Sequence, residues 1–402
     1  MANFSQRTKS KGVTLVLVTV IGIIVVILSL TMIQLGYHAR VMAARTVHGI
    51  LARCAADAGM ANAIFLMNKK LIDEATWDNS SLPSSADVVL LGDMPPPFSR
   101  FSYSVTGDSG AGFQITSTGI CGMTTQKQVH TTLEIGSYFR GIGVEEEVNV
   151  KLGTTFDTIG PGLPSDLEIR SNTTDRGAMI FKAFVTVPGD VVCGPGGDPA
   201  EVIDCKATTV IEGETYAASE TLVFPDVPVP DNMVYSGSIT DPCTVISTPG
   251  RYQYDTINVP QSGILKIATS CVIYVTGPMI LNQGSEVIVQ SGASLELYLG
   301  VRLEDKNSIG MTNETLDARC LRIYGLPTCT DIDLKAKSDL HAAVYAPDAD
   351  LDLFNAGDIY GAFVAESFEM KNSATFYYDT NLKSLGIDDP AALFIVGRWW
   401  ED

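Results

Sequence analysis

The sequence predicts an α+β protein with a long N-terminal helix, a small antiparallel β-meander and a large all-β C-terminal region. Three observations predict it. Val13 to Leu35 holds no charged residue and passes without interruption into an amphipathic helical pattern. Phe101, Tyr103 and Val105 alternate with Ser102 and Ser104, the period of a half-buried strand. From Gly250 onward, short β-rich pieces recur between Gly263, Gly277, Gly284, Gly292 and Gly300.

The helix comes first. Crossing a bilayer takes roughly 20 apolar residues at ~1.5 Å rise each, and Val13 to Leu35 is long enough. Arg7, Lys9 and Lys11 precede it, which predicts a cytoplasmic N-terminus and a C-terminal part outside. A secretory signal peptide would have a shorter apolar core and a small-residue cleavage site. The expected divisions are a basic leader at 1–12 and a helix at 13–75, with a membrane span at 13–36 and an amphipathic part at 37–70. From Ala44 the apolar positions Val47, Leu51, Cys54, Ala58, Ala61 and Phe65 follow steps of three and four. That stripe is expected to lie over the sheet, as Arg45, Arg53, Asp57 and Lys69 fall off it.

The spelling Ser10-Lys11-Gly12-Val13-Thr14-Leu15 resembles the prepilin leader of type IV pilins and type II secretion pseudopilins. Arg53-Cys54-Ala55-Ala56-Asp57-Ala58-Gly59-Met60 is similar to the A-E-A-G-hydrophobic signature of PilX-type minor pilins, with Asp57 in the Glu position. Gln114-Ile115-Thr116-Ser117-Thr118-Gly119 resembles their I-T-S-x-G strand. The resemblance implies cleavage between Gly12 and Val13 by a prepilin peptidase. It also implies packing of Leu17, Val47, Leu51, Ala58, Ala61 and Phe65 in a filament core against other pilin or pseudopilin subunits. The chain would sit in the inner membrane with a single pass until assembly, then at the cell surface. Major pilins carry a Glu where this chain has Leu17, which points to a minor, tip or priming role.

Four hundred and two residues call for two or three units beyond the stalk. The formal charge of −19 repels nucleic acid, so no nucleic-acid partner is expected. Eight cysteines in a chain placed outside the cytoplasm suggest disulfides. Sequence alone leaves the connectivity open, and proximity suggests Cys193 with Cys205, Cys320 with Cys329, Cys243 with Cys271, and Cys54 with Cys121. No pair has the spacing of a structural zinc site.

Residues 76–150 read as the β-meander, joined to the helix by a turn-rich stretch containing Pro95-Pro96-Pro97. Residues 151–249 are β-rich and irregular, with a linker-like stretch at Pro225, Pro228, Pro230 and Pro242. Residues 250–386 read as a parallel β-helix or solenoid, since short strands bury a face only when stacked. A β-sandwich is the alternative. Tyr345-Ala346-Pro347, Gly361 and Tyr378-Asp379 resemble a C-terminal solenoid-like domain found with PilX-type N-termini. In the tail, 387–402, Leu393 to Val396 and Trp399-Trp400 read as a docking strand.

Asp348, Asp350 and Asp352 alternate, so a regular strand would aim all three at one face. Three readings stand: a solvated acidic face, a calcium site of hard oxygen ligands, or an acidic cluster for glycan cleavage. His38, His48, His130 and His341 have no second ligand at metal spacing and no Gly-x-Ser-x-Gly partner. The glycine-rich stretches lack the Lys-Ser/Thr of a phosphate loop. No enzyme is expected, and no cofactor other than calcium. The expected function is a minor pilin or pseudopilin subunit displaying a β-rich head. The alternative is an uncleaved, membrane-anchored surface β-helix that binds glycans or surfaces.

Overall fold

A computed structural model describes residues 10–73, 77–90, 99–110, 112–122, 125–335, 339–354, 357–371 and 373–401. The leader residues Arg7 and Lys9 and the Pro95–Pro97 run lie outside the described residues. The chain divides into two compact units, one of residues 1–66, 82–133 and 396–402, the other of 67–81 and 134–395.

The first unit sets the helix Ser10–Asp73, through residue 66, on an antiparallel sheet. The sheet runs, in spatial order, Ser84–Leu90, Ser99–Asp108, Gly112–Cys121, Thr125–Ser137 and Ala392–Glu401. The chain's last strand therefore closes the sheet, as the Leu393 to Trp400 spelling predicts. Arg53 holds its end, with the guanidinium 4.3 Å over the Trp399 ring and an ion pair to Glu401. Lys127 also reaches Glu401, at 2.9 Å. Within the sheet the period-two pattern is observed: Phe101, Tyr103, Val105, Phe113, Ile115, Val129 and Leu133 are all buried.

The helix does not use the expected stripe against the sheet. Ala52, Ala55, Ala56, Gly59, Met60 and Ala63 are buried, whereas Val47, Cys54, Ala61 and Phe65 are exposed and Leu51 and Ala58 half-buried. The physical reason is closeness. A methyl on Gly59 would sit 2.4 Å from Ser117 Oγ and 2.8 Å from Phe101 Cδ2. A methyl on Gly119 would sit 2.0 Å from the Ala52 carbonyl oxygen and 2.4 Å from the Ala56 nitrogen. Ser117 Oγ donates to the Ala56 carbonyl at 2.7 Å, and Tyr103 donates to Asn62 Oδ1 at 3.2 Å. At these contacts, Gly59 on Ser117 and Gly119 on Ala52 and Ala56, only residues without bulk allow the approach. Gly119→Val is expected to cost roughly 3 kcal/mol, the upper end for overpacking, because its neighbours are backbone atoms. A urea midpoint equal to that of the parent chain would refute the tight contact.

The second unit is a stack of three-strand rungs paired in parallel. One rung is Cys271–Val275, Met279–Leu281 and Glu286–Val289; the next is Leu295–Leu299, Arg302–Asp305 and Gly310–Asn313. Each strand pairs with the strand at the same place one rung on. Alternate side chains point inward and stack in files. One file runs Tyr252, Ile273, Leu297, Ile323, Val344 and Phe363. A second runs Ile257, Met279, Leu303, Ile332, Leu351 and Phe368, every member buried. Stacking lets strands of three to five residues bury an apolar face that none could bury alone.

Residues 151–249 are not a separate region. Phe363 pairs onward with Ile142, Ile142 with Ile169, and Ile169 with Val191; Phe368 pairs with Val148, and Val148 with Met179. The rungs from Gly141 to Ala217 thus sit on top of the rungs that come last in sequence. From Ala217 the chain returns to the far end of the stack and resumes at Val234–Tyr235, which pairs with Tyr252–Gln253. The connection, 218–233, is a strap along the outside. Arg170 Nη2 and Asn172 Nδ2 donate to the Glu220 and Leu222 carbonyls, both at 2.7 Å. Tyr345 donates to the Pro225 carbonyl at 2.9 Å and Arg251 Nε to that of Asp231 at 2.8 Å. The expected proline linker is therefore a fixed element, with Phe224 and Val227 buried.

Candidate functional site

The residues singled out by sequence fall on two places: the exposed helix and the acidic face of the stack. From Val16 to Leu35 every large apolar side chain of the helix is exposed, Leu17 by 58%. An 18-residue window reaches a mean hydropathy of 3.0, so the helix is long and apolar enough to cross a membrane. Gly12 and Val13 lie in its first turns. The exposed stripe of Val47, Cys54, Ala61 and Phe65 prolongs this surface on the side away from the sheet. Phe65 is 63% exposed, a large apolar group with nothing packed over it in the isolated chain. The stripe read from sequence is thus free for another molecule.

The aspartate trio is broken up. The strand Leu340–Leu353 loses register between Ala346 and Asp350, at Pro347, and Asp348 falls in the irregular part. Its Oδ2 is buried without a partner among the described residues; burial, with Asp226 nearby, pushes its carboxyl up. Asp350 accepts from Ser367, and Asp352 pairs with Lys371 at 2.5 Å. Asp350 and Asp352 join a cross-rung row with Asp331 and Asp333 on one side and Glu369 on the other. Lysines neutralise much of it: Lys371 and Lys151 reach Glu369 at 3.2 and 2.8 Å. Burial alone would raise the Glu369 carboxyl, but these two lysines outweigh it and hold it below the ordinary range. Among the described residues no group of three His, Cys, Asp or Glu side chains is placed to hold a metal ion.

None of the four expected cysteine pairs is joined. All eight thiols are free. The strands hold proposed partners on different ladders: Cys193 beside Ala217 but Cys205 beside Phe181, and Cys271 beside Leu295 but Cys243 beside Ile264 in a separate sheet. Cys54 is exposed on the helix while Cys121 is buried in the sheet, and Cys320 is half-buried in a turn while Cys329 is fully covered. Burial pushes the Cys271 thiol up to about 11 and the Cys329 thiol up to about 12. Such thiols are inert.

Two of the four histidines stack on aromatic rings. His130 stacks on Trp400 at 5.3 Å, and His341 on Tyr360 at 4.3 Å, with Tyr377 next in the same pile at 4.7 Å. Sequence reasoning missed a polar cluster on the outer side of the first file. Asp389 is 1% exposed at its side chain and accepts from Arg322 at 2.5 Å and from Tyr324 at 2.9 Å. A signal was present: Tyr274, Tyr298, Tyr324 and Tyr345 recur once per rung at one register position.

A domain of unknown function, DUF7305, matches residues 206–385. That stretch takes in the strap and the rungs from Val234 onward, but not the rungs from Gly141 to Cys193 stacked upon them. No curated protein matches the chain. Among solved structures, the competence-associated pilin ComZ from Thermus thermophilus aligns at 13% identity over 88% of this chain and 97% of that one, with a TM-score of 0.22. At that score the chain paths differ as a whole, and the likeness has no bearing on what this chain does.

Proposed function

We propose that this chain is a pilin-like subunit of a type IV pilus or type II secretion-like filament, in a minor role. The observation that supports it is a single contact. Ala56 and Gly59 of one family-like segment meet Ser117 and Gly119 of the other, below an apolar helix left bare from Val16 to Leu35. In this reading a prepilin peptidase cuts between Gly12 and Val13 while the span sits in the inner membrane. The bare helix, Leu17 included, then packs with Val47, Leu51, Ala58, Ala61 and Phe65 against the helices of other subunits. Leaving the bilayer would expose that surface to water, and burying it again at ~25 cal/mol per Å² drives assembly. The stacked rungs form a parallel β-solenoid displayed as a head outside the cytoplasm, with a surface or glycan ligand. Leu17 in place of a carboxylate fits a tip or priming position better than the shaft.

The N-terminal peptide of the protein isolated from its own cells tests this by mass spectrometry. A start at Val13 is expected. A start at Met1 or Ala2 would overturn it and leave an uncleaved, membrane-anchored surface protein.

A further inference from the structure

The outward side of the first file is where the repeat is overlaid by segments that do not repeat. The strap covers it from one side and the loop Gly386–Pro390 from another, and the two leave a cavity of about 490 Å³ within the second unit. That volume falls inside the ~300–1,000 Å³ range of small-molecule sites. It is a groove open to solvent on the strap side, with Tyr298, Tyr324 and Asp389 buried at its floor.

Its floor is set by strand register. Glu296 stands beside Arg322, and Tyr298 beside Tyr324, on adjacent rungs. Arg322 is spoken for, pairing with Glu296 and Asp389, and so is Tyr324, through Asp389. Tyr298 is not. It is 6% exposed as a residue and lines the cavity, with a hydroxyl that still reaches solvent and no protein hydrogen-bond partner among the described residues. A ligand hydroxyl can take the place of water at this phenol and keep its hydrogen bond.

The lining also selects the class of ligand. Asp226, Asp231, Asp388 and Glu296 border the space, and its two arginines are each engaged, Arg251 through Nε on the strap carbonyl. An anion meets net repulsion there. Carboxylate acceptors, the phenol and the outer nitrogens of Arg251 together offer both donors and acceptors, which suits vicinal hydroxyls better than a simple cation. Leu71, Pro228 and Val229 add apolar surface for the C–H faces of a sugar ring.

We propose that this cavity binds a neutral saccharide unit, with Tyr298 and Glu296 hydrogen-bonding its hydroxyls. The inference gives a ligand class to the head of the proposed filament subunit, but the binding assay is blind to processing and assembly, so the two ideas fail separately.

The full chain, purified in a detergent without a sugar headgroup, is applied to an array of neutral glycans that also displays spermidine and heparin. Expected are binding to at least one neutral glycan, a roughly ten-fold weakening in Tyr298→Phe, and loss in Val229→Trp. The tryptophan would fill the cavity from the strap, where Val229 is 56% exposed and no stack residue is altered. Thermal unfolding of both variants at the parent temperature separates lost binding from lost fold. Any of three results overturns the proposal: no neutral glycan bound by the parent chain, binding only to spermidine or heparin, or neutral-glycan binding undiminished in folded Val229→Trp.

Discussion

Deleting Pro225–Pro230 from the strap is expected to abolish the native stack of the second unit, a larger effect than any single substitution. The strap must travel from the strand Thr215–Ala217 at one end of the stack to Val234–Tyr235 at the other. The file between them, through Val191, Ile169, Ile142, Phe363, Val344, Ile323, Leu297, Ile273 and Tyr252, makes about ten rung steps of ~4.8 Å, or about 48 Å. Residues 218–233, fully extended at ~3.3–3.6 Å each, reach about 53–58 Å, so the strap has little slack. Without 225–230 the reach falls to about 33–36 Å, and the two runs of rungs no longer meet in register. Far-ultraviolet circular dichroism and limited proteolysis read the result. Replacing the six residues by a flexible Gly/Ser segment of equal length should restore folding, since length is what the argument needs. A cooperative, protease-resistant stack in the deletion variant would show that the strap takes a shorter route.

Asp389→Ala is the second largest expectation, at about 3–5 kcal/mol. The Asp389 carboxylate is 1% exposed at its side chain, takes Arg322 and Tyr324 through Oδ2, and accepts the Ala391 N–H through Oδ1 at 2.9 Å. Removing it leaves a guanidinium at 21% exposure with only Glu296, plus a phenol and a backbone N–H unpaired. The cost comes from those orphaned groups more than from the attraction itself. Replacing both charges, Arg322→Met with Asp389→Leu, should therefore recover only the guanidinium's share of the loss, since the Tyr324 phenol and the Ala391 N–H stay unpaired. Urea unfolding of the three chains decides it. A single variant within about 0.5 kcal/mol of the parent would mean that water already reaches the pair.

The legible features were those whose signal lies close together in sequence. The bare helix announces itself by an uncharged run, and Phe101, Tyr103 and Val105 by alternation within five residues. The rungs after Gly250 repeat often enough to be heard. The same grammar governs 141–217, but there a short helical turn at Pro199–Val202 and strands of two or three residues interrupt the rhythm. Their neighbours are also distant: Phe363 beside Ile142 is a pairing no local pattern can reveal. On the helix, hydrophobic periodicity finds Val47 and Phe65 because they are large. The face that meets the sheet is written in Ala and Gly, whose low hydrophobicity gives a faint signal but whose size is the point. The aspartates and cysteines are hard to place from sequence for a related reason. Alternation assumes an unbroken strand, and the irregularity at Pro347 ends it; loop-bracketing cysteines look like partners until strand register sends them to different ladders.

The order of the rungs also bears on when the head can form as the chain emerges. Residues 141–217 appear early, yet the ladder that supports them from below, Ile359–Met370, comes about two hundred residues later. The closing strand of the helix-bearing sheet, Ala392–Glu401, comes last of all. A chain stopped short at 350 would have no seam to join and no fifth strand, so neither unit could reach its native form. Only a chain made through Glu401 buries both, and copies stopped short of it would stay open to proteases.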